Sequence, residues 1–201
     1  MTHDRFRVLV VCTGNICRSP MAQAMLVHRM RELAGDAASI VEVTSAGTFG
    51  LVGEPMEPDA VTALDELGIV AGEFAGRELA AALIADADLV LAATREHRAA
   101  AVTQMPAAAR KTFTLREFAR LVAAVDPASL NGESDEDVVT RLRDLVDAAA
   151  AHRGQVRPAS PADDDVADPY RRPIEAFRAA AQQLDEAVRV IAAQVAAVLV
   201  G

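Results

Sequence analysis

Residues 6–20, FRVLVVCTGNICRSP, constrain this chain more than any other stretch, because they read as a strand, a tight turn and a helix start in direct succession. Four consecutive apolar residues, Val8 to Val11, suit a strand buried on both faces of a parallel sheet. Gly14 allows close backbone approach or positive φ, Asn15 tolerates a left-handed conformation, Ser19 can cap a helix, and Pro20 fits the first helical turn. A strand-to-helix turn of this kind aims backbone N–H groups and the positive end of the helix dipole at one point, which makes an anion site before any side chain is counted. A phosphate fits there. Cys12, at the strand end, sits where thiols ionise readily and become nucleophiles, and Arg18 offers a planar fork for two phosphate oxygens. The residues predict covalent phosphoryl transfer to Cys12; the plainer alternative is a small buried cysteine with an unrelated surface arginine.

Composition narrows the setting. With 201 residues, 52% of them hydrophobic, the chain can bury a full core and most simply forms one domain. Its net charge of −9 disfavours nucleic-acid binding, so an anionic substrate must be drawn by a local field against the global one. Cys12 and Cys17 are the only cysteines and lie five apart in the same turn, so no disulfide framework is expected. No apolar run approaches the roughly 18 residues of a membrane span and no signal peptide is indicated, which makes the cytoplasm the default location. His3, His28, His97 and His152 show no metal-ligand spacing, and no Ser-His-Asp or glycine-rich nucleotide motif competes, so neither metal nor cofactor is expected.

Strand and helix signals alternate along the chain, which predicts an α/β fold: one domain with a central four-stranded, twisted parallel sheet covered by helices on both faces. Strands are expected near 6–12, 39–44, 88–92 and 111–114, with helices near 20–34, 56–68, 78–84, 95–104 and 115–124. In the last helix Ile174, Phe177, Ala181, Leu184, Val188, Ile191, Val195 and Val198 form one apolar stripe, read as core rather than a dimer seam. Residues 121–167 break the pattern and read as an insertion, part helical and part disordered. Asn131-Gly132 marks a turn, Ser134 with Asp137 resembles a helix start, Val138 to Ala151 suits a helix, and Gly154 to Ala167 has the Pro, Ala and Asp content of a mobile loop.

The run V-C-T-G-N-I-C-R-S-P resembles the signature of the low-molecular-weight protein tyrosine phosphatases. That family carries its general acid in a distant Asp-Pro-Tyr or Asp-Pro-Phe motif, and Asp168-Pro169-Tyr170 stands here. Ser45-Ala46-Gly47, Gly53-Glu54-Pro55, Arg77-Glu78-Leu79 and Asp88-Leu89-Val90-Leu91 extend the resemblance over about residues 5–118 and 166–198. The resemblance implies hydrolysis of phosphotyrosine in a protein substrate through a cysteinyl-phosphate intermediate. Cys12 is then the nucleophile, Arg18 the clamp, and Asp168 the acid that protonates the leaving phenolate and later takes a proton from water. The amides of Thr13, Gly14, Asn15, Ile16, Cys17 and Arg18 would hold the phosphate, Asn15, Ser19 and Ser45 would brace the turn, and the Ser19 hydroxyl would also steady the sulfur. Cys17 matches a second cysteine that can form a reversible disulfide with Cys12, with plain packing as the other reading. Tyr170 would wall the cleft or be a surface tyrosine. From the residues alone, Asp168 is equally a solvated acid following Asp163, Asp164 and Asp165, whose acidic run is most cheaply solvated. Pro169 restricts Asp168 to extended geometry over the cleft.

Two departures bear on this reading. Phe49-Gly50-Leu51-Val52-Gly53 is similar to bacterial capsule-type members that partner tyrosine autokinases, which makes such a kinase a candidate partner. Phe74 stands where relatives often carry a histidine supporting the turn, so weaker bracing through Asn15 and Ser45 is expected. Arsenate reduction on the same scaffold is one alternative, although no cysteine follows Cys17 to relay oxidation. Phosphoarginine hydrolysis is another; its known enzymes carry Thr where Ile16 stands, and an apolar β-branched wall suits a phenyl ring better than a guanidinium. A non-catalytic phosphotyrosine-binding module is the third.

Overall fold

A computed structural model describes residues 5–130 and 138–201. Strand β1 (Phe6–Cys12) lies at the centre of the sheet and alternates its side chains between two apolar clusters, Val8 and Val10 entering one, Leu9 and Val11 the other. It pairs on one side with β2 (Val41–Gly47) and on the other with β3 (Leu89–Ala92), which pairs with β4 (Thr112–Thr114). All pairings are parallel and the order is β2-β1-β3-β4. A parallel sheet needs a crossover between neighbours, supplied by α1 (Arg18–Ala34) between β1 and β2, by α2 (Pro58–Asp65) and α3 (Ala81–Asp86) between β2 and β3, and by α4 (Arg95–Gln104) between β3 and β4; α5 (Leu115–Val122), α6 (Val138–Ala151) and α7 (Ile174–Val200) follow the last strand.

Helices cover both faces. The larger cluster joins the sheet to α1, α2, α5, α6 and α7; the smaller joins it to α3 and α4 through Ile84 and Ala101. Phe177, Ala181, Leu184, Val188, Ile191, Val195 and Val198 are all buried in the larger cluster, and Ile174 packs at its margin, so the apolar stripe of α7 is core. The helix expected from residue 78 begins at Ala81, because Glu78 still bridges to Gly47 as an extension of the sheet. Strand β2 starts at Val41, after a 3-10 turn over Gly35–Ile40.

Beyond α5 the chain is stitched to the body at many points. Leu142, Leu145, Val146 and Ala149 of α6 are buried. Arg143 bonds Asp88 at 2.8 Å, and Arg153 lies 3.8 Å from the centre of the Phe113 ring while donating to the carbonyls of Ala109 and Thr112. Residues 154–167, expected to be a mobile loop, are pinned instead. Asp164 pairs with Arg120, Asp165 with Arg95, and the Val166 N–H bonds the Ala93 carbonyl at the end of β3. The expected turn at Asn131-Gly132, the helix start at Ser134 and Asp137, and His3 lie outside the described residues.

The strand order reverses between β1 and β3, both neighbours of which diverge from that point, and the carboxyl ends of strands at such a switch are where open α/β sheets bind ligands. Cys12 is the last residue of β1.

Candidate active site

The turn from Cys12 to Arg18 is held from outside through its carbonyls. Those of Cys12, Thr13 and Gly14 accept from the N–H groups of Thr48, Phe49 and Leu51 at 2.9–3.0 Å, and that of Ile16 accepts from Glu57. Among the described residues, no backbone carbonyl is seen to accept from residues 13–17 outside the helices and the sheet ladders. Asn15 takes the left-handed conformation anticipated for it (φ 57°). Gly14 does not need its freedom as expected: its φ is not positive, and a Cβ there would touch only Ile16 and Leu51 at ordinary distances. The close approach falls on Gly47, where a Cβ would lie 2.3 Å from the Thr13 carbonyl oxygen.

Asn15 is fully buried and knots the turn together. Its amide nitrogen donates to Ser19 Oγ at 2.9 Å and to Ser45 Oγ at 2.8 Å, and its carbonyl oxygen accepts the Arg77 N–H at 2.9 Å. Ser45 Oγ donates onward to Gln23 Oε1 at 2.7 Å. The network is therefore complete without a histidine, and Phe74 instead lines a groove against α1. Ser19, expected as the helix cap, lies inside the first turn of α1, with Cys17 at the cap position. Having accepted from Asn15, the Ser19 hydroxyl has its hydrogen free for Cys12 Sγ, 2.9 Å away, the polarity a thiolate requires.

Arg18 is almost wholly buried. Its Nη1 donates to the Val166 carbonyl at 3.2 Å and its Nη2 to Thr13 Oγ1 at 3.3 Å, while Nη2 also pairs with Asp168 Oδ2 at 2.8 Å. Its Nε is buried with no hydrogen-bond partner among the described residues, an orphan donor of the kind an anion satisfies. Asp168 is half exposed, and its carboxyl is held at the cleft by the Tyr170 N–H, which donates to Oδ1 at 3.2 Å, and by the pair with Arg18. Cys12, Thr13, Gly14, Ile16, Cys17, Arg18, Phe49, Leu51, Asp168 and Tyr170 line one cleft of about 230 Å³. Cys12 is 2% exposed whereas Phe49 is 76% exposed, so the sulfur lies on the floor and the aromatic groups at the mouth. Burial, then the neighbouring Cys12, pushes the Cys17 thiol up to about 12, which leaves it protonated and inert as a nucleophile. Among the described residues no group of three metal-ligating side chains converges, and no helix is long and apolar enough to cross a membrane.

Asp163, Asp164 and Asp165 are not the uniformly solvated run expected. Asp164 is nearly buried in a two-pronged pair with Arg120, and Asp165 grips the Arg95 side chain and backbone. Both pairs tether the strand of chain that delivers Asp168. Asp164→Asn strands Arg120 in a partly buried site, and the expected cost is about 2 kcal/mol in chemical unfolding. If the tether aims Asp168, the same change lowers turnover of tyrosine phosphate more than that of nitrophenyl phosphate, and equal loss on both substrates would refute the aiming role.

Three residues of the site had no role assigned from the sequence: Gln23, Arg77, which entered only through the Arg77-Glu78-Leu79 resemblance, and His97, weighed only as a metal ligand. Gln23 stands four residues after Ser19, on the same face of α1, which is the signal that was available. His97 has both ring nitrogens hydrogen bonded and follows Thr94, the side-chain cap of α4. It lines a second hollow of about 600 Å³ on the far side of Arg18 and Asp168.

An open parallel sheet with a thiol, a buried guanidinium and an anion-receiving turn at its switch point defines an enzyme that handles phosphate. Comparison with known proteins agrees. A family model described as low molecular weight phosphotyrosine protein phosphatase matches residues 7–155. A protein-arginine-phosphatase of Geobacillus stearothermophilus is 34% identical over 180 residues, covering 90% of this chain and 89% of that protein. A probable low molecular weight protein-tyrosine-phosphatase, EpsP of Ralstonia nicotianae, is 36% identical over 141 residues, covering 70% and 91%. The solved structure of the Geobacillus stearothermophilus arginine phosphatase YwlE superposes with a TM-score of 0.64 at 33% identity, over 94% of this chain and 91% of that one. The chain belongs to the low molecular weight phosphotyrosine protein phosphatase family and is a phosphatase acting on phosphoproteins. The match to the family model takes in the turn and Ser45; Asp168 and Tyr170 lie beyond it.

Proposed function

We propose that the chain hydrolyses phosphotyrosine in proteins through a cysteinyl-phosphate intermediate. One observation carries this reading: the Cys12 sulfur, the Arg18 guanidinium with its orphan Nε, and the Asp168 carboxyl open into a single cleft with apolar walls. Cys12 Sγ attacks phosphorus as the bond to the tyrosine oxygen breaks, and Asp168, protonated and released from Arg18 by the arriving phosphate, gives its proton to that oxygen. Water then attacks phosphorus, Asp168 takes its proton, the S–P bond breaks, and inorganic phosphate leaves. The amides of residues 13–18 and the Arg18 fork meet the developing charge with donors already in place. Asn15, Ser19 and Ser45 keep the turn rigid.

Ile16, Leu51, Phe49 and Tyr170 make walls for a phenyl ring, and a floor-level sulfur is reached by a long flat phosphoester better than by phosphoserine. The loop Phe49–Gly53 supports a bacterial tyrosine autokinase as the phosphoprotein partner. Two free buried cysteines suit a reducing compartment, which supports a cytoplasmic location. The identity with an arginine phosphatase over most of both chains supports phosphoarginine as the competing substrate. Parallel turnover assays with phosphotyrosine, phosphoarginine and phosphoserine peptides, and with arsenate plus thiols, decide among them. Phosphotyrosine is expected to lead; faster release from phosphoarginine would move the assignment to the competing substrate, and equal or faster release from phosphoserine would refute the cleft argument.

A further inference from the structure

His97 stands at the start of α4, off the carboxyl end of β3, and is not among the groups that the proposed reaction uses. Its Nδ1 lies 2.8 Å from Thr94 Oγ1 and its Nε2 lies 2.8 Å from Thr13 Oγ1, which in turn accepts from Arg18 Nη2 at 3.3 Å. We propose that His97 is a positioning residue for the phosphate clamp, acting through the Thr13 hydroxyl to hold the plane of the Arg18 guanidinium. The proposal rests on the reading of Arg18 as that clamp.

The hydrogens can be placed along the whole chain of contacts. Thr94 Oγ1 accepts the His97 backbone N–H as the helix cap and can accept Nδ1–H with its other lone pair. That tautomer leaves Nε2 bare to accept the Thr13 hydroxyl hydrogen, so the lone pairs of Thr13 face Arg18. An imidazolium would carry hydrogens on both nitrogens, turn the Thr13 hydroxyl away, and set a positive charge beside Arg18. Burial first, and then the Arg18 charge, hold His97 down to about 4 against the pull of Asp168 and Asp165, so the ring is neutral at working pH. Arg95 and Glu96 are the other charged groups on that wall. When phosphate displaces Asp168 from Nη2, Thr13 and the Val166 carbonyl are the anchors left on the guanidinium. Donors that need not reorganise in the transition state are what make such a clamp effective.

The test is the steady-state kinetics of His97→Ala, His97→Gln, His97→Asn and Thr13→Val, with affinity for inorganic phosphate measured alongside. His97→Ala is expected to lower kcat/KM roughly 3- to 10-fold, the worth of one net hydrogen bond. Because the clamp and not the acid is disturbed, the loss is the same for tyrosine phosphate and nitrophenyl phosphate. The Gln amide reaches the position of Nε2 and restores the bond to Thr13, whereas Asn reaches only that of Nδ1, so Gln rescues and Asn does not. In a Thr13→Val background, which keeps the shape of the side chain, His97→Ala adds little further loss. Rescue by Asn alone, additive losses, or a loss that grows with the poorness of the leaving group would overturn the proposal. Arg18→Ala separates the two levels. If that variant is inactive while His97→Ala is unimpaired, only the positioning role fails; if it keeps full turnover, the clamp reading fails and the proposal with it.

Discussion

Cys12→Ser is expected to reduce turnover to the uncatalysed background while the protein still binds inorganic phosphate. A serine hydroxyl is not appreciably ionised near neutral pH, so the covalent step loses its thiolate nucleophile. The features that receive the anion are untouched: the outward carbonyls of the turn, the Asn15 knot and the buried Arg18 with its orphan Nε. Phosphate binding by calorimetry and turnover of nitrophenyl phosphate separate the two properties. Persistent turnover would place the nucleophile elsewhere. Loss of phosphate binding together with turnover would mean that the thiol holds the turn together rather than attacking phosphorus. Cys17→Ser is the matched control, and it should retain turnover because burial keeps that thiol protonated.

Asp168→Asn is expected to cost roughly 10²–10⁴ in turnover of tyrosine phosphate, the usual range for a general acid. The loss should shrink for nitrophenyl phosphate, whose leaving group departs without a proton. The amide also cannot pair as an anion with Arg18, so the resting contact at 2.8 Å is weakened and phosphate need not displace it. Affinity for phosphate should therefore hold or rise while turnover falls. A large loss on both substrates with weakened phosphate binding would assign Asp168 to binding and leave the proton to another group.

The segment around Cys12 was legible because its contacts are local. A strand, a turn and a helix start that adjoin in sequence adjoin in space, so an anion site could be read from residues 6–20 with little topology. The left-handed conformation at Asn15 and the burial pattern of β1 follow from residue type and periodicity. Gly14 shows the limit of that argument. A glycine in a tight turn looked like the point of close approach, yet the tight contact belongs to Gly47, which the parallel register sets opposite Cys12. The Asp163–Asp165 run fails for the same reason, since three adjacent acids look solvated until Arg120 and Arg95 arrive from other elements.

By itself, then, the sequence determined the alternation of strands and helices and the strand-turn-helix segment that carries Cys12 and Arg18, which are matters of periodicity, turn chemistry and spacing that act over a few residues. Asp168 stood out from its acidic neighbours only through the resemblance of Asp168-Pro169-Tyr170 to a family motif. Tertiary structure alone decided which groups hold them in place. Gln23 and Arg77 complete the Asn15 and Ser45 network where a histidine was looked for, Thr13 and Val166 anchor the guanidinium, and His97 reaches Thr13 across 84 residues of chain. A hydrogen bond carries no trace in local composition of which distant partner will satisfy it. The partner is set only when the strands β1, β2 and β3 bring their carboxyl ends together and exclude water from the groups between them.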